Sequence, residues 1–315
     1  MSNQLTMRLV HTMIGPLMAL FLSAFALTSN AQVFRLGVPP WPGVQVKSEV
    51  AVEILQILGY QAKQDQLSVP IIFHSLTTDS LDIYLGGWVP QEKNKIEKYT
   101  QQGKIIKLTT NTTDALIGLA VPEYMAKRGV KSMADLKRYA DKFDHKIYGI
   151  ERGSGINKSI QSAIDQDRHD LGDWDLVQTG TGAMLAQVKR AISKKKPVVF
   201  FAWRPHWMNV SFNIHYLTVD EPSDIAHSSA AVYTLVSKEL PQKAPNVTRF
   251  LKQMHVDSTV QSQWVHAYSR ENDKLTAVSH NWIKNNMDVV SQWLDGVKTA
   301  DGKPALPAVR AAFGT

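Results

Sequence analysis

Short apolar runs alternate with amphipathic stretches along most of the chain, and this order predicts strands followed by helices. The first apolar run, residues 33–36, predicts a strand. In the stretch that follows, apolar residues recur every four positions from Val46 to Leu58, which predicts a helix that ends at Gly59. Further runs rich in β-branched or aromatic residues predict strands at residues 81–85, 115–121, 146–151 and 197–203.

Helices are predicted between these strands and through the C-terminal third of the chain. One spans residues 132–143, where Ser132 and Asp135 resemble a capping box, and another spans 182–192. From Pro241 onward the pattern is mostly helical. Strands that alternate with helices predict open, mostly parallel α/β sheets, which bind ligands at the carboxyl ends of their strands.

Four of the eight tryptophans are assigned to the core. Trp282 and Trp293 lie eleven residues apart, which is about three helical turns, so we expect them to share one face of a helix. Trp174 and Trp264 are given the same role, because a largely buried position is usual for tryptophan.

Three further tryptophans share one local setting. Trp41, Trp88 and Trp203 each follow an apolar run and stand beside glycine or proline, which places each indole at a strand end. Any one of them alone is interpreted as core filler. Three in the same setting predict an aromatic cage, the arrangement that binds quaternary ammonium groups through cation–π contacts.

The first 31 residues have the pattern of an export signal. Arg8 precedes an apolar stretch at residues 13–27, and Ser29 and Ala31 fit a small-x-small cleavage site. This stretch is too short to span a bilayer comfortably, which disfavours an uncleaved anchor. We therefore expect removal of residues 1–31 as a signal peptide and a periplasmic location.

Composition and charge exclude several classes of protein. The 315 residues contain no cysteine, so disulfides and a lipid anchor on an N-terminal cysteine are excluded. The formal net charge is +7, but the basic residues are scattered, and the lysine run at 194–196 is interpreted as a solvated turn. The ten histidines are not clustered at metal-ligand spacing. We expect no nucleic-acid partner, no metal and no cofactor.

Seven short motifs resemble one family when they are taken together, in this order and spacing. They lie at residues 58–60, 85–90 (Leu-Gly-Gly-Trp-Val-Pro), 146–151, 184–188, 197–200, 203–209 (Trp-Arg-Pro-His-Trp-Met-Asn) and 245–247. The chain is similar to the substrate-binding proteins of ABC importers for glycine betaine, proline betaine, choline and carnitine. The resemblance runs over nearly the whole chain beyond the predicted signal.

The resemblance implies a fold, a set of domains and a set of partners. The fold would be the α/β type II periplasmic binding protein fold, in which two lobes joined by a hinge close on a ligand cleft. Lobe 1 would comprise residues 32–112 and 206–315, and lobe 2 residues 113–205. A monomer would capture a quaternary amine and deliver it to the permease and ATPase subunits of an importer.

The carboxylate of a betaine has candidate ligands of its own. The Gly43 and Val44 amides come just before a predicted helix, so their N–H groups can face an anion, and betaine-binding members of the family use such a pair. His206 either donates to the same carboxylate or is a structural histidine. Ser154 either lines the cleft from lobe 2 or caps a helix. Because three cation–π contacts supply about 2–6 kcal/mol and micromolar affinity requires about 8 kcal/mol, both ends of the ligand must be held.

Three positions differ from the choline-specific members of the family. Those members carry Asp, Asn and Tyr where this chain has Gly43, Ser154 and Ile117. An aspartate at the first position would repel a carboxylate, so its absence favours glycine betaine or a related carboxylated betaine over choline. Ile117 also removes an aromatic wall, for which Trp207 is the nearest candidate, although neighbouring residues on a strand point to opposite faces, so this wall is left unassigned.

Other functions remain as alternative hypotheses. A choline- or carnitine-specific member of the family is one, and a periplasmic enzyme that acts on betaines is another. The chain has no Gly-x-Ser-x-Gly elbow, no His-Glu-x-x-His and no cysteine nucleophile, so no catalytic residue is assigned. A ligand-sensing regulator on the same fold is disfavoured by the export signal.

Overall fold

The computed structural model describes residues 33–219, 225–226 and 228–314. The predicted signal peptide lies outside these residues. Among the described helices, none is both long and apolar enough to cross a bilayer.

The described strands form one mixed sheet. They are β1 Val33–Val38, β2 Gln61–Gln66, β3 Ile83–Val89, β4 Ile105–Pro122, β5 Lys146–Gly149, β6 Asp175–Gln178, β7 Val199–Arg204, β8 Ile214–Tyr216 and β9 Ser228–Ser237. Their order is β2-β1-β3-β9-β4-β7-β5-β6, and β8 pairs with β4 outside this path.

Helices connect and cover the strands. They are α1 Pro42–Ile57, α2 Val69–Thr77, α3 Lys93–Gln101, α4 Glu123–Ala126, α5 Asp135–Tyr139, α6 Gly155–Asp165, α7 Thr181–Ser193, α8 Met208–Ser211, α9 Leu240–Lys243, α10 Pro245–Gln253, α11 Ser258–Arg270, α12 Leu275–Asn285, α13 Met287–Trp293 and α14 Ala305–Phe313, with 3-10 turns at Ala140–Phe143 and Arg168–Asp170.

Two parallel groups of strands flank a central antiparallel pair. On one side β1 pairs in parallel with β2 and β3, and on the other side β5 pairs in parallel with β6 and β7. Between them, β4 runs antiparallel to β9 from Ile105 to Ile117 and antiparallel to β7 from Leu116 to Ala120. The expectation of mostly parallel sheets is therefore wrong. The two parallel groups are joined through β9 and β4, which pair antiparallel with each other and with β3 and β7.

The predicted strands and most predicted helices are confirmed, with different bounds. The predicted strand at 81–85 extends to Val89, and the one at 115–121 is the last part of β4. Sequence patterns missed β2, whose six residues are all polar except the buried Ala62, because an edge strand needs little apolar surface. The helix predicted at 132–143 is shorter, and Asp135 accepts the Ser132 N–H as one half of a capping box.

The tryptophans assigned to the core pack as expected, but one reason was wrong. Trp282 and Trp293 lie on two helices, α12 and α13, which meet at Asn286, rather than on one continuous face. Their rings are nevertheless stacked, with centroids 5.3 Å apart, and Trp264 meets Trp282 edge-on at 4.9 Å. Trp264 and Trp174 are both buried.

Candidate functional site

A cavity opens where β1, β3, β5 and β7 end. Six of the seven residues predicted for the site lie on its wall. The wall is formed by Trp41, Gly43, Val44, Trp88, Gln91, Glu92, Ile117, Ile150, Ser154, Gly155, Ile156, Phe201, Trp203, Pro205 and Gln261. The described residues contain no group of side chains that could hold a metal ion.

The three predicted cage tryptophans stand at strand ends, as their local sequences indicated. Trp41 lies three residues beyond β1, and Trp88 and Trp203 are the next-to-last residues of β3 and β7. The Trp41 indole Nε1 donates to Glu151 Oε2 at 2.8 Å. Glu151 also accepts the Thr181 N–H and hydroxyl, at 2.6 and 3.1 Å. This carboxylate therefore fixes the orientation of the Trp41 ring face.

A fourth aromatic ring in the wall is Phe201. It stacks on Trp203, with ring centroids 5.3 Å apart and planes 22° from parallel. Both residues project from the same face of β7, where side chains two apart share a face. Trp207, the replacement wall considered from the sequence, is not part of the cavity lining; Arg270 covers its ring at 4.9 Å. The period of two along β7 could have identified Phe201 instead.

The amides at the start of α1 are not equivalent. The Val44 N–H donates to the Trp41 carbonyl at 3.0 Å, as in a normal first helical turn. The Gly43 N–H has no hydrogen-bond partner among the described residues. Of the predicted amide pair, Gly43 therefore supplies the free donor, and the expectation that Val44 supplies a second one is not met in this structure.

A buried ammonium group lies one helical turn beyond Gly43. Lys47 Nζ donates to Asn111 Oδ1 at 2.6 Å and to Thr112 Oγ1 at 2.9 Å. Burial lowers the pKa of Lys47 to about 7, and nearby Asp114 opposes that shift. The local sequence of α1 gave no sign that a lysine would be buried at this position.

Glu92 is the one ionisable side chain among the described wall residues. Its Oε2 accepts the Trp88 N–H at 3.2 Å, while Oε1 is buried without a hydrogen-bond partner. Burial raises the pKa of Glu92, and Lys95 opposes this shift. Sequence reasoning missed Glu92, which lies four residues after Trp88, because an isolated glutamate at a helix start is normally solvated.

Ser154 lies on the cavity wall and also caps a helix. It lines the cavity, and its hydroxyl accepts the Asn157 N–H at 3.4 Å as the N-cap of α6. Gly155 beside it allows close approach of the β3–α3 connection, because a Cβ there would lie 2.2 Å from the Gln91 carbonyl oxygen.

His206 lies beside the cage rather than on the cavity wall. Its ring centroid is 4.8 Å from that of Trp203, and the side chain is buried. The Met208 N–H donates to Nδ1 at 3.2 Å, so the ring proton belongs on Nε2, which is buried without a partner among the described residues. Burial lowers the pKa of His206 to about 3. The ring is therefore a neutral hydrogen-bond donor.

A pH titration of stability tests this neutral state. The unfolded chain takes up a proton at residue 206 below pH 6.5 and the folded protein does not, so this contribution to stability is present above pH 6.5 and is lost as the pH falls. We expect the free energy of unfolding of His206→Gln, relative to wild type, to rise by about 2 kcal/mol between pH 6.5 and 5. Denaturant unfolding at each pH measures it.

The control for this titration is His74→Gln, because His74 is exposed. That variant should keep the pH dependence of the wild type. Parallel pH profiles of wild type and His206→Gln would contradict a neutral His206.

Comparisons with known proteins agree with this fold. Residues 34–285 match the family described as the substrate binding domain of ABC-type glycine betaine transport systems. The glycine betaine/carnitine transport binding protein GbuC of Listeria monocytogenes is 30% identical over 190 residues, which are 60% of this chain and 59% of that protein.

Two solved structures have the same architecture. A choline binding protein of an ABC transporter, in complex with choline, superposes with a TM-score of 0.86 at 30% identity and covers 90% of this chain and 99% of its own. Lactococcal OpuAC, closed on glycine betaine, superposes with a TM-score of 0.75 at 25% identity, over 83% and 99%. The expected periplasmic binding protein fold is thereby confirmed. The chain belongs to the family of substrate-binding domains of ABC-type glycine betaine transport systems and is a substrate-binding protein of a betaine or choline ABC transporter.

Proposed function

We propose that this protein captures glycine betaine, or a related carboxylated betaine, and delivers it to the permease and ATPase subunits of an importer without chemical change. The observation that carries the proposal is one cavity lined both by aromatic rings and by the start of α1. The Gly43 N–H at this helix start has no partner among the described residues. A trimethylammonium group and a carboxylate match these two environments.

The aromatic part of the cavity suits the cationic end of the ligand. Trp41, Trp88, Trp203 and Phe201 present ring surface there, and a quaternary ammonium group needs such surface because it cannot donate a hydrogen bond. The Glu92 carboxyl lies beside Trp88 and accepts its backbone N–H. A bound cation would favour the ionised form of this carboxyl against the effect of burial.

The start of α1 suits the anionic end. The Gly43 N–H has no partner in the part of the chain that the structure describes, and the positive end of the α1 dipole lies at the same point. His206, the other ligand predicted from the sequence, has a donor at Nε2 without a partner among the described residues, but its ring packs against Trp203 outside the cavity lining. Each hydrogen bond to a charged group contributes about 1.5–3 kcal/mol, which complements the cage.

Choline is the alternative ligand that a specific observation favours. The choline-bound structure is 30% identical to this chain, and Glu92 supplies an acid in the cavity although position 43 has none. Against choline, Gly43, Ile117 and Ser154 depart from the choline-specific pattern, and an unpaired Gly43 N–H would face a ligand without an anion.

Binding would be accompanied by closure of two lobes. With lobe 1 as residues 32–112 and 206–315 and lobe 2 as 113–205, the Trp41–Glu151 hydrogen bond and the contact of Gly155 with Gln91 join one lobe to the other. The periplasm, reached through removal of residues 1–31, is the proposed location.

Calorimetric titration of the protein without residues 1–31 tests the choice of ligand. Glycine betaine, proline betaine, carnitine and choline are compared under one set of conditions. We expect a carboxylated betaine to bind best, because only these ligands pair both ends of the cavity. Tight binding of choline with no binding of any betaine would contradict the proposed carboxylate site.

The Trp88→Ala variant tests the aromatic cage. We expect its dissociation constant for the best ligand to rise about 10- to 100-fold, the loss of one cation–π contact and its apolar surface, while the fold is retained. Circular dichroism checks the fold. Trp282→Ala is the matched control, since Trp282 is also partly buried but lies outside the cavity, in the C-terminal tryptophan cluster. It should lose stability and keep its affinity; unchanged affinity in Trp88→Ala would make Trp88 core filler.

A further inference from the structure

We propose that Gln261 reads the anionic end of the ligand: its side-chain amide donates a hydrogen bond to the carboxylate beside the Gly43 N–H. Gln261 would then be the residue that separates carboxylated betaines from choline. This inference rests on the proposed function and deepens it, since it names the second donor that the Val44 amide cannot provide.

Gln261 lies in the cavity wall directly beside Gly43. Its side chain lines the cavity and is only 3% exposed. A Cβ added to Gly43 would lie 2.8 Å from Gln261 Nε2, so the amide nitrogen occupies the space into which any side chain at position 43 would project. Glycine at position 43 therefore leaves room for the Gln261 amide, and both residues line the cavity.

The first turn of α11 holds Gln261 in this place. Asp257 caps the helix by accepting the Val260 N–H at 2.8 Å. Asp114 on β4 accepts the N–H of Ser258 at 3.0 Å and its hydroxyl at 2.5 Å. The helix start is thus fixed to the central strand pair, and Gln261 follows one turn later. A side chain anchored in this way loses little entropy when it binds a ligand.

The hydrogen bonds near Gln261 indicate how its side-chain amide is oriented. Thr112 Oγ1 accepts a hydrogen bond from Lys47 Nζ at 2.9 Å and lies 3.4 Å from Gln261 Oε1. Asn111 Oδ1, the other acceptor near Thr112, already receives Lys47 at 2.6 Å. The Thr112 hydroxyl is also within hydrogen-bond distance of Asn111 Oδ1, at 3.2 Å, so Gln261 Oε1 is one of its two acceptors. Gln261 Oε1 is thus directed toward Thr112 and Nε2 toward Gly43, which leaves the NH₂ group for the cavity.

The consequence is selectivity for an anion at this end. A carboxylate accepts from both the Gly43 N–H and the Gln261 NH₂. It also favours the protonated form of Lys47 against the effect of burial, and that positive charge adds to the attraction. A choline hydroxyl has no charge and satisfies these donors less well. A ligand that leaves a buried N–H donor without a partner binds more weakly, because that donor has lost its hydrogen bond to water.

The test measures glycine betaine and choline affinities of two variants by calorimetry. Gln261→Glu keeps the shape of the side chain and places a carboxyl where the amide was. We expect glycine betaine binding to weaken by about 30-fold or more, and choline binding to be unchanged or tighter. Gln261→Met fills similar space without donors, and should weaken glycine betaine by about tenfold and leave choline within about twofold.

Gln263→Glu is the control, because Gln263 is exposed on the same helix and this change adds the same charge. It should leave both affinities unchanged, and thermal melts establish that each variant is folded. The inference is overturned if the wild type binds glycine betaine and both Gln261 variants bind it equally well. Failure of the proposed function has a different signature: the wild type itself would bind choline alone or no quaternary amine.

Discussion

The antiparallel pairing of β4 with β9 is the interaction on which the rest of the structure depends. It joins two parallel groups of strands that would otherwise form separate sheets. Because parallel strands carry their binding residues at their carboxyl ends, this junction brings Trp41 and Trp88 from one group to Trp203 from the other. Strand β4 also contains Asn111, Thr112 and Asp114, so the central strand pair carries the polar side chains near the start of α1. Fold and site are therefore fixed by one set of backbone hydrogen bonds.

The polar groups of the cavity wall determine which ligands this arrangement of strands can bind. Among the described wall residues, Glu92 lies beside Trp88, while Gln261 Nε2 lies beside Gly43 at the start of α1. Because water screens enclosed groups poorly, we expect the two ends of a zwitterion to be attracted to these two different places on the wall. The free protein keeps these groups tolerable through the pKa shifts of Glu92 and Lys47, both caused mainly by burial.

Local sequence predicted the parts of the site that depend on local structure. The tryptophans could be placed because apolar runs ending at glycine or proline define strand ends, and Gly43 because it opens a helix. Phe201 was within reach through the period of two in β7. Gln261 and Glu92 were not, because their roles depend on contacts with residues distant in the chain or on burial that no short motif reports. For Val44 the prediction was wrong. Its place before a predicted helix indicated a free N–H, but this N–H donates to the Trp41 carbonyl in the first turn of α1.

A crystal structure of the protein with glycine betaine tests the proposed binding site most directly. We expect the trimethylammonium group among Trp41, Trp88 and Trp203, and a carboxylate oxygen within about 3.2 Å of the Gly43 nitrogen. A carboxylate directed toward Glu92, or a ligand bound outside this cavity, would contradict it.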